Sequence, residues 1–451
     1  MDLQDTFTAL STPHGESALG IIRCSGPLCP FLVSEIFHNT SPTPRKVYVA
    51  DYQSYEGQFL DNVVYTYFQD ERSYTGDPML EISCHGNPFI LQLVLEDLVK
   101  RGCRHALPGE FTQTAFLNGR MDLSQAEAVI DLIKARTDLS FKAAAHQLQG
   151  SLSRRIQKLV DDLLQITAEI EAYIDFPEED LPTDGEAAPI SRLKNLVTEI
   201  DKLSETARTG IFLREGVKAI IIGAPNAGKS SLMNQLLGEA RSIVSNTPGT
   251  TRDYIEASFF VEPYRIIIMD TAGLHNTVDE IEKAGISKTL EQIALSDLIL
   301  FTIDASSYPP LLPDEVSSVL NRDNTILIHN KSDLQQHPSA DKYLEGFHRV
   351  STSALEGSGF DELTDAIKFV LGNPIVSEKG DVVAVSARHH TALLDAAHDL
   401  AVGIQLLENE EPAELAASHL RDAMGNLGKV IGQVDNERML DKLFASFCIG
   451  K

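Results

Sequence analysis

The stretch Gly-Ala-Pro-Asn-Ala-Gly-Lys-Ser-Ser, residues 223–231, directly follows the β-branched run 217–222 and opens a helical stretch. It is G-x-x-x-x-G-K-S in the strand, loop, helix context that a phosphate-binding loop requires. Gly223 and Gly228 let backbone N–H groups close around a triphosphate at a helix N-terminus, with Asn226, Ala227 and Ser231 completing the loop. Lys229 supplies a point charge, and Ser230 offers a hydroxyl to Mg²⁺.

Two further elements fall in the matching order. The run YRIIIMD, residues 264–270, ends on Asp270, followed by Thr271, Ala272 and Gly273. Asp270 can hold magnesium through water, and the Gly273 N–H can meet a γ-phosphate. The run NTILIHNKSD ends on Asn330, Lys331 and Asp333. A carboxylate here accepts both edge N–H groups of guanine, whereas adenine would leave it partly unpaired, so the expected base is guanine. Ser353 and Ala354, within STSALEG, are expected in a loop capping the base, in a composition that suits any turn.

Hydrolysis poses a sharper problem. Ras-type GTPases place a water-positioning glutamine after this aspartate-led turn. Here that place is Leu274, which cannot orient water. Something else must align the nucleophile and neutralise the charge growing between the β- and γ-phosphates. The side-chain carbonyl of Asn226 and the carbonyls of SNTPGTTRD, residues 245–253, could cage a monovalent cation where an arginine finger otherwise acts. Of the acids beyond Leu274 (Asp279, Glu280, Glu282), any could position water on closure. From the residues alone Glu282 is equally a solvated helix charge.

The elements that must position these groups are legible. Residues 217 to about 371 alternate β-branched runs with helical stretches, the signature of a parallel sheet wrapped by helices. Residues 1 to about 118 mix short alternating segments with one helix and read as an α+β domain. From Leu148, the positions Leu152, Ile156, Leu159, Leu163, Ile166 and Ile170 recur at steps of three and four, so one long amphipathic helix is expected to about Ile174. A proline- and acid-rich loop follows before helical periodicity resumes. The chain is helical again after about residue 380, so the simplest packing joins the flanks into one bundle with the α/β unit inserted.

Bulk properties narrow the function. A length of 451 residues predicts about three domains. With 38 Lys and Arg against 65 Asp and Glu, the net charge is −27, which excludes wholesale electrostatic binding to nucleic acid or anionic membrane. Any RNA contact must be local. Residues 120–158, with seven basic against four acidic side chains, are the closest to a basic seat. No apolar run approaches a bilayer span and the start has no signal-peptide pattern, so the expected location is cytoplasmic. Five scattered cysteines fit reduced thiols rather than a disulfide framework or zinc site. The terminal Cys448-Ile-Gly-Lys451 has a C-a-a-X outline, but a terminal lysine does not suit prenylation.

GAPNAGKSS, SNTPGTTRD, DTAGL and NKSD, with the upstream PGEFTQTAFLNGRMDLSQAEAVIDLI and the terminal CIGK, together resemble the bacterial tRNA modification GTPase family MnmE, also called TrmE. The resemblance covers essentially the full length, and the upstream block and terminal tetrapeptide are its most specific parts. It implies a multidomain fold: an α+β folate-binding, aminomethyltransferase-like amino-terminal domain that also dimerises (1–118), a discontinuous α-helical bundle (119–213 and 376–451, ending in the CIGK tail), and an inserted α/β Ras-like P-loop G domain (214–375). It also implies a homodimer that works with an FAD-dependent MnmG-type protein, in a heterotetramer or larger complex, to install an aminomethyl-type group on the wobble uridine of certain tRNAs.

By the same resemblance, GTP contacts extend over Ser245, Asn246, Thr247, Pro248, Gly249, Thr250 and Thr251. Mg²⁺ takes Ser230 and Thr251. K⁺ takes Asn226, Ser245, Thr247 and Thr250 in a site completed across a G-domain dimer, and Glu282 orients the attacking water. Arg23, Glu81, Arg120 and Lys451 match positions that contact 5-formyltetrahydrofolate or another tetrahydrofolate derivative. Arginines and a terminal lysine suit an anionic glutamate tail, and Glu81 can accept pterin N–H groups. Cys448 then belongs to a short tail reaching the folate pocket, expected to be that of the partner subunit, where its thiol either takes part in chemistry or simply packs. Asn87 stands where the family often has a second glycine, a basic residue is missing before AFLNG, and Arg120 replaces the usual lysine, which leaves the pterin geometry open. The alternative reading is a ribosome-assembly GTPase switch, which the missing basic RNA-binding module disfavours.

Overall fold

The structure is a computed structural model that describes residues 5–69, 72–175, 187–239, 257–269, 290–372, 385–433, 440, 443–445 and 447–450. The chain divides into two compact units, Met1–Ile130 with Ser153–Val160 and Leu427–Lys451, and Asp131–Leu152 with Asp161–Asn426.

The first unit is built on a mixed sheet. Its elements run β1 (Phe7–Leu10), β2 (Ser17–Ser25), α1 (Cys29–Phe37), β3 (Val47–Gln53), β4 (Phe59–Phe68), β5 (Met79–Gly86), α2 (Pro88–Lys100), β6 (Arg104–His105), α3 (Glu110–Leu117) and the start of α4 (Leu123–Lys134). The spatial order is β3-β4-β5-β2-β1-β6. Period-two alternation sets the faces: Asp61, Val63, Tyr65 and Tyr67 of β4 are buried and their neighbours are not. Ile22, Cys24, Leu80, Ile82 and Cys84 share that face and pack against Leu32, Val33, Val94 and Leu98 of α1 and α2. Helix α2 starts where it does because the Asn87 side chain accepts from the Phe89 N–H at 2.9 Å, and Pro88 needs no donor at the first position. On the other face the register sets Ala9 beside Arg23, Arg23 beside Glu81, and Glu81 beside Thr66.

The second unit holds helices and a second sheet. The helices before the sheet are α5 (Asp138–Leu148), α6 (Ser151–Asp175), α7 (Ala187–Glu205) and α8 (Ala207–Glu215). The long helix expected from Leu148 begins at Ser151 instead, because Gly150 adopts φ 78° and separates α5 from α6. The six expected apolar positions of α6 are all buried. A single residue, Gly216 at φ 85°, joins α8 to the sheet, and the Arg214 guanidinium at the end of α8 pairs with Asp131 of α4 at 3.0 Å.

The sheet comprises β7 (Val217–Ile222), β8 (Ala257–Val261), β9 (Tyr264–Ile268), β10 (Leu298–Asp304), β11 (Thr325–Asn330) and β12 (His348–Ser351) in the order β12-β11-β10-β7-β9-β8. All ladders are parallel except β8 against β9. The sequence reading found five of these strands and missed β8, a five-residue edge. One face packs on α9 (Lys229–Glu239) and α11 (Phe360–Leu371) through Leu232, Leu236, Leu363 and Ile367. The other packs on Val316 of α10 (Asp314–Val319) and on Ile293 and Ala340. Both faces are covered, which is why β7, β10 and β11 read as continuous apolar runs. After the sheet come α12 (Ala387–Glu408), which packs on α7, and α13 (Ala413–Ile431). Among the described residues no helix is long and apolar enough to cross a membrane.

Candidate functional site

In this strand order the chain runs from β7 to β8 and β9 on one side of β7 and then crosses to β10, β11 and β12 on the other, and open α/β sheets bind ligands outside the carboxyl ends of the strands at such a switch point. The loop between β7 and α9 lies there. Gly223 (φ 148°) and Gly228 (φ 92°) take conformations closed to other residues, and a Cβ would collide with the Thr302 carbonyl at the first and with the Asn330 amide at the second. Asn226 is exposed and also has positive φ, 62°. Lys229 folds back over the loop, its Nζ donating to the Gly223 and Ala224 carbonyls at 2.8 Å each. Burial pulls the Lys229 pKa down, because taking the ammonium out of water disfavours its charged form. Ser230 and Ser231 are exposed on the first turn of α9.

The carboxyl end of β11 is tied into this loop. Asn330, 2% exposed, donates through Nδ2 to the Ala227 carbonyl at 2.9 Å. Its Oδ1 accepts from the Ala354 N–H at 3.1 Å and from the Thr352 hydroxyl at 3.4 Å. The Ser353 hydroxyl donates to the exposed carboxylate of Asp333 at 2.5 Å. Ala227, Asn330, Asp333, Ser353 and Ala354, taken from three loops on sequence grounds, are thus brought together. Lys331 (φ 62°) is held by Asp304, the last residue of β10, at 2.6 Å. Asp304 and Ser306 were passed over in the sequence; the acid ending the run LILFTID was the available signal. Ser245, Asn246, Thr247, Pro248, Gly249, Thr250, Thr251, Asp270, Thr271, Ala272, Gly273, Glu282 and Lys451 lie outside the described residues.

In the first unit, Arg23 Nε and Glu81 Oε1 pair at 2.8 Å, each side chain about a quarter exposed (24% and 27%). The Arg23 guanidinium stands 5.9 Å from the ring centre of Tyr74, whose hydroxyl shares a hydrogen bond with Thr112 at 2.9 Å. Arg120 is exposed just beyond α3, and among the described residues no ion pair joins it to Glu81. The exposed Cys448 sits in a tail bonded to its own chain: Gly109 N–H donates to the Cys448 carbonyl at 3.3 Å and the Ser11 hydroxyl to the Gly450 carbonyl at 3.1 Å. Phe444 and Phe447 anchor that tail against Leu123, Ala126 and Phe116. No cluster of three or more His, Cys, Asp or Glu placed to hold a metal occurs among the described residues.

A parallel sheet with one antiparallel edge, a glycine-rich loop leading into a helix, and an Asn-Lys-x-Asp turn locked onto that loop define the class: a P-loop nucleotide-binding protein of several domains. Family models agree. "GTP-binding protein TrmE N-terminus" matches residues 6–120 and "MnmE helical domain" matches residues 123–448. The tRNA modification GTPase MnmE of Opitutus terrae is 48% identical over 450 residues, covering 100% of this chain and 99% of that protein. Those of Aquifex aeolicus and Akkermansia muciniphila are each 40% identical, over 451 and 458 residues, with 100% of both chains covered. The chain belongs to the MnmE family, with a TrmE amino-terminal domain, a helical domain and a G domain.

Proposed function

We propose that this protein hydrolyses GTP to GDP and phosphate in the course of tRNA modification. The observation that carries this reading is the Asn330 network, which fixes a guanine-reading turn directly onto a phosphate loop. Lys229 supports it: its partly buried ammonium finds two loop carbonyls but among the described residues no carboxylate, a state that a triphosphate would relieve. Asp333 reads the base edge, while Ser353 and Ala354 cap it.

The donors also fit the implied ions. Ser230 presents an exposed hydroxyl on the first helical turn, suited to Mg²⁺ with Thr251, and Asp270 would hold the ion's water. The exposed Asn226, whose side-chain oxygen is a hard donor, suits K⁺ with Ser245, Thr247 and Thr250. Bound there, these cations would supply positive charge between the leaving and transferred phosphates, a role that Leu274 leaves unfilled. Glu282 orients the attacking water, and a second copy of the G domain completes the site.

In the first unit the Arg23–Glu81 pair suits a tetrahydrofolate derivative such as 5-formyltetrahydrofolate: the carboxylate accepts pterin N–H groups and the arginine binds an anionic tail, joined by Arg120 and Lys451. The folate supplies a one-carbon unit for the wobble uridine. Cys448 is held with its side chain exposed, available to that chemistry. The functional divisions are 1–118, 119–213, 214–375 and 376–451, and the protein acts in the cytoplasm as a homodimer with an FAD-dependent MnmG-type partner. Two measurements test the reading. Turnover should be fast in K⁺ and slow in Na⁺, and Glu282→Ala should lower kcat while nucleotide affinity holds. Wobble-uridine modification should be lost in cells lacking the chain; equal rates in both salts, or intact modification, would remove the corresponding part.

A further inference from the structure

The carboxyl end of β10 holds a side chain that neither phosphate binding nor base-edge reading accounts for. Asp304 is level with Asn330 in the parallel ladder, and the next N–H, that of Ala305, donates to the Asn330 carbonyl at 3.0 Å. Its Oδ1 accepts twice from Ser306, from the N–H at 3.0 Å and the hydroxyl at 2.6 Å. That leaves Oδ2 for Lys331, whose Nζ donates at 2.6 Å. The carboxylate is 22% exposed and the lysine 33%. Burial alone would push the Asp304 pKa up, but hydrogen bonds from Lys331 and Ser306 outweigh it and hold the group below the usual carboxylate range.

Lys331 is therefore fixed at both ends. Its backbone occupies the left-handed region at φ 62°, which few residues other than glycine adopt, and its ammonium is pinned by Asp304. Between these points runs a four-carbon stem, set in the chain between Asn330 and the base-reading Asp333. A loose lysine forfeits much of its rotamer entropy when something packs on its stem; one already tied does not.

We propose that Asp304 is a positioning residue of the guanine site, holding Lys331 so that its methylene stem forms a ready-made wall for the base. Asp304 itself touches no nucleotide. The inference rests on the guanine-nucleotide reading above. It predicts equal weakening of GDP and GTP, because both carry the same base, and no change in the phosphate chemistry.

The test uses the full chain with Asp304→Asn, which keeps the shape and an acceptor for Ser306 but removes the charge, and Asp304→Ala, which removes both. Dissociation constants for GDP and for a non-hydrolysable GTP analogue are measured by fluorescence, with kcat at saturating GTP. Both variants should bind both nucleotides about tenfold more weakly, with KM rising in step and kcat within about twofold of wild type. A fold-wide structural role would instead lower kcat and the bound fraction together, and that outcome overturns the proposal. So does wild-type affinity in Asp304→Asn. If the unaltered chain binds neither nucleotide, the guanine reading itself falls; if it binds and the variants match it, only the role of Asp304 falls.

Discussion

The Asn330 side chain donates to the carbonyl of Ala227, 103 residues earlier in the chain, at 2.9 Å. This bond, with the return bond from Ala354, makes the phosphate loop, the Asn-Lys-x-Asp turn and the loop after β12 one object. Asn330→Ala leaves the buried Ala227 carbonyl and the part-buried Ala354 N–H without these partners, a loss of about 2 to 4 kcal/mol. The expected result is weaker GDP binding together with a lower unfolding midpoint, read by fluorescence titration and denaturant melts of the same preparation. A variant that kept its melt and its affinity would show the bond to be incidental.

Gly228→Ala should weaken nucleotide binding more than it weakens the fold. The new Cβ would strike the Asn330 amide, and φ 92° is unsuited to alanine. Lys229, whose amide follows directly, would be displaced with the loop. GTP affinity should drop by at least about a hundredfold (~2.7 kcal/mol) while circular dichroism stays that of the parent.

Acid should loosen the second sheet through His329. This imidazole is 1% exposed, its Nε2 has no hydrogen-bond partner among the described residues, and it lies on the interior strand β11. Burial lowers its pKa, the nearby Arg349 lowers it further, and Asp341 acts the other way. The folded state thus takes up the proton less readily than the unfolded chain, so this contribution to stability is complete above the ordinary value of 6.5 and is lost as pH falls below it. The slope is at most about 1.4 kcal/mol per pH unit. Urea midpoints should fall between pH 7 and pH 5.5, and His329→Gln should flatten that fall.

The thiols should sort into two classes. Cys448 is exposed and the other four are buried. Burial pushes Cys84 up to about 12 and Cys29 higher still, so their thiolates are scarce at neutral pH. A disulfide reagent should therefore titrate one thiol in the native protein and all five in denaturant. Gly450→Ala, whose Cβ would run into the Leu10 carbonyl at φ 94°, should free the tail, speeding its removal by carboxypeptidase several-fold without changing the four buried thiols.

Most of the G domain was legible because its signals are local. A phosphate loop and an Asn-Lys-x-Asp turn are fixed by a few adjacent residues whose backbone demands are strict, and parallel strands buried on both faces announce themselves as apolar runs. Strand β8 escaped because a short edge strand needs little hydrophobic pattern and gains its identity by pairing with β9. Asp304 escaped for a different reason: an acid at a strand end is ordinary until its neighbour 27 residues on is seen to be bonded to it. Leu148 was assigned to the wrong helix because apolar periodicity ran on through Gly150, whose positive φ no periodicity reveals. In the first unit, the cross-strand neighbours Arg23 and Glu81 are 58 residues apart in sequence, and their pairing depends on register that composition does not encode.

Gly216 is the whole joint between α8 and the strand that carries the phosphate loop, and it is closely hemmed: a Cβ there would meet the Ile267 side chain at 2.8 Å and the Arg265 carbonyl at 3.1 Å. With no room for a side chain at that joint, and with Arg214 two residues up the helix paired to Asp131 at 3.0 Å, the end of α8 is clamped on both sides of the turn into β7.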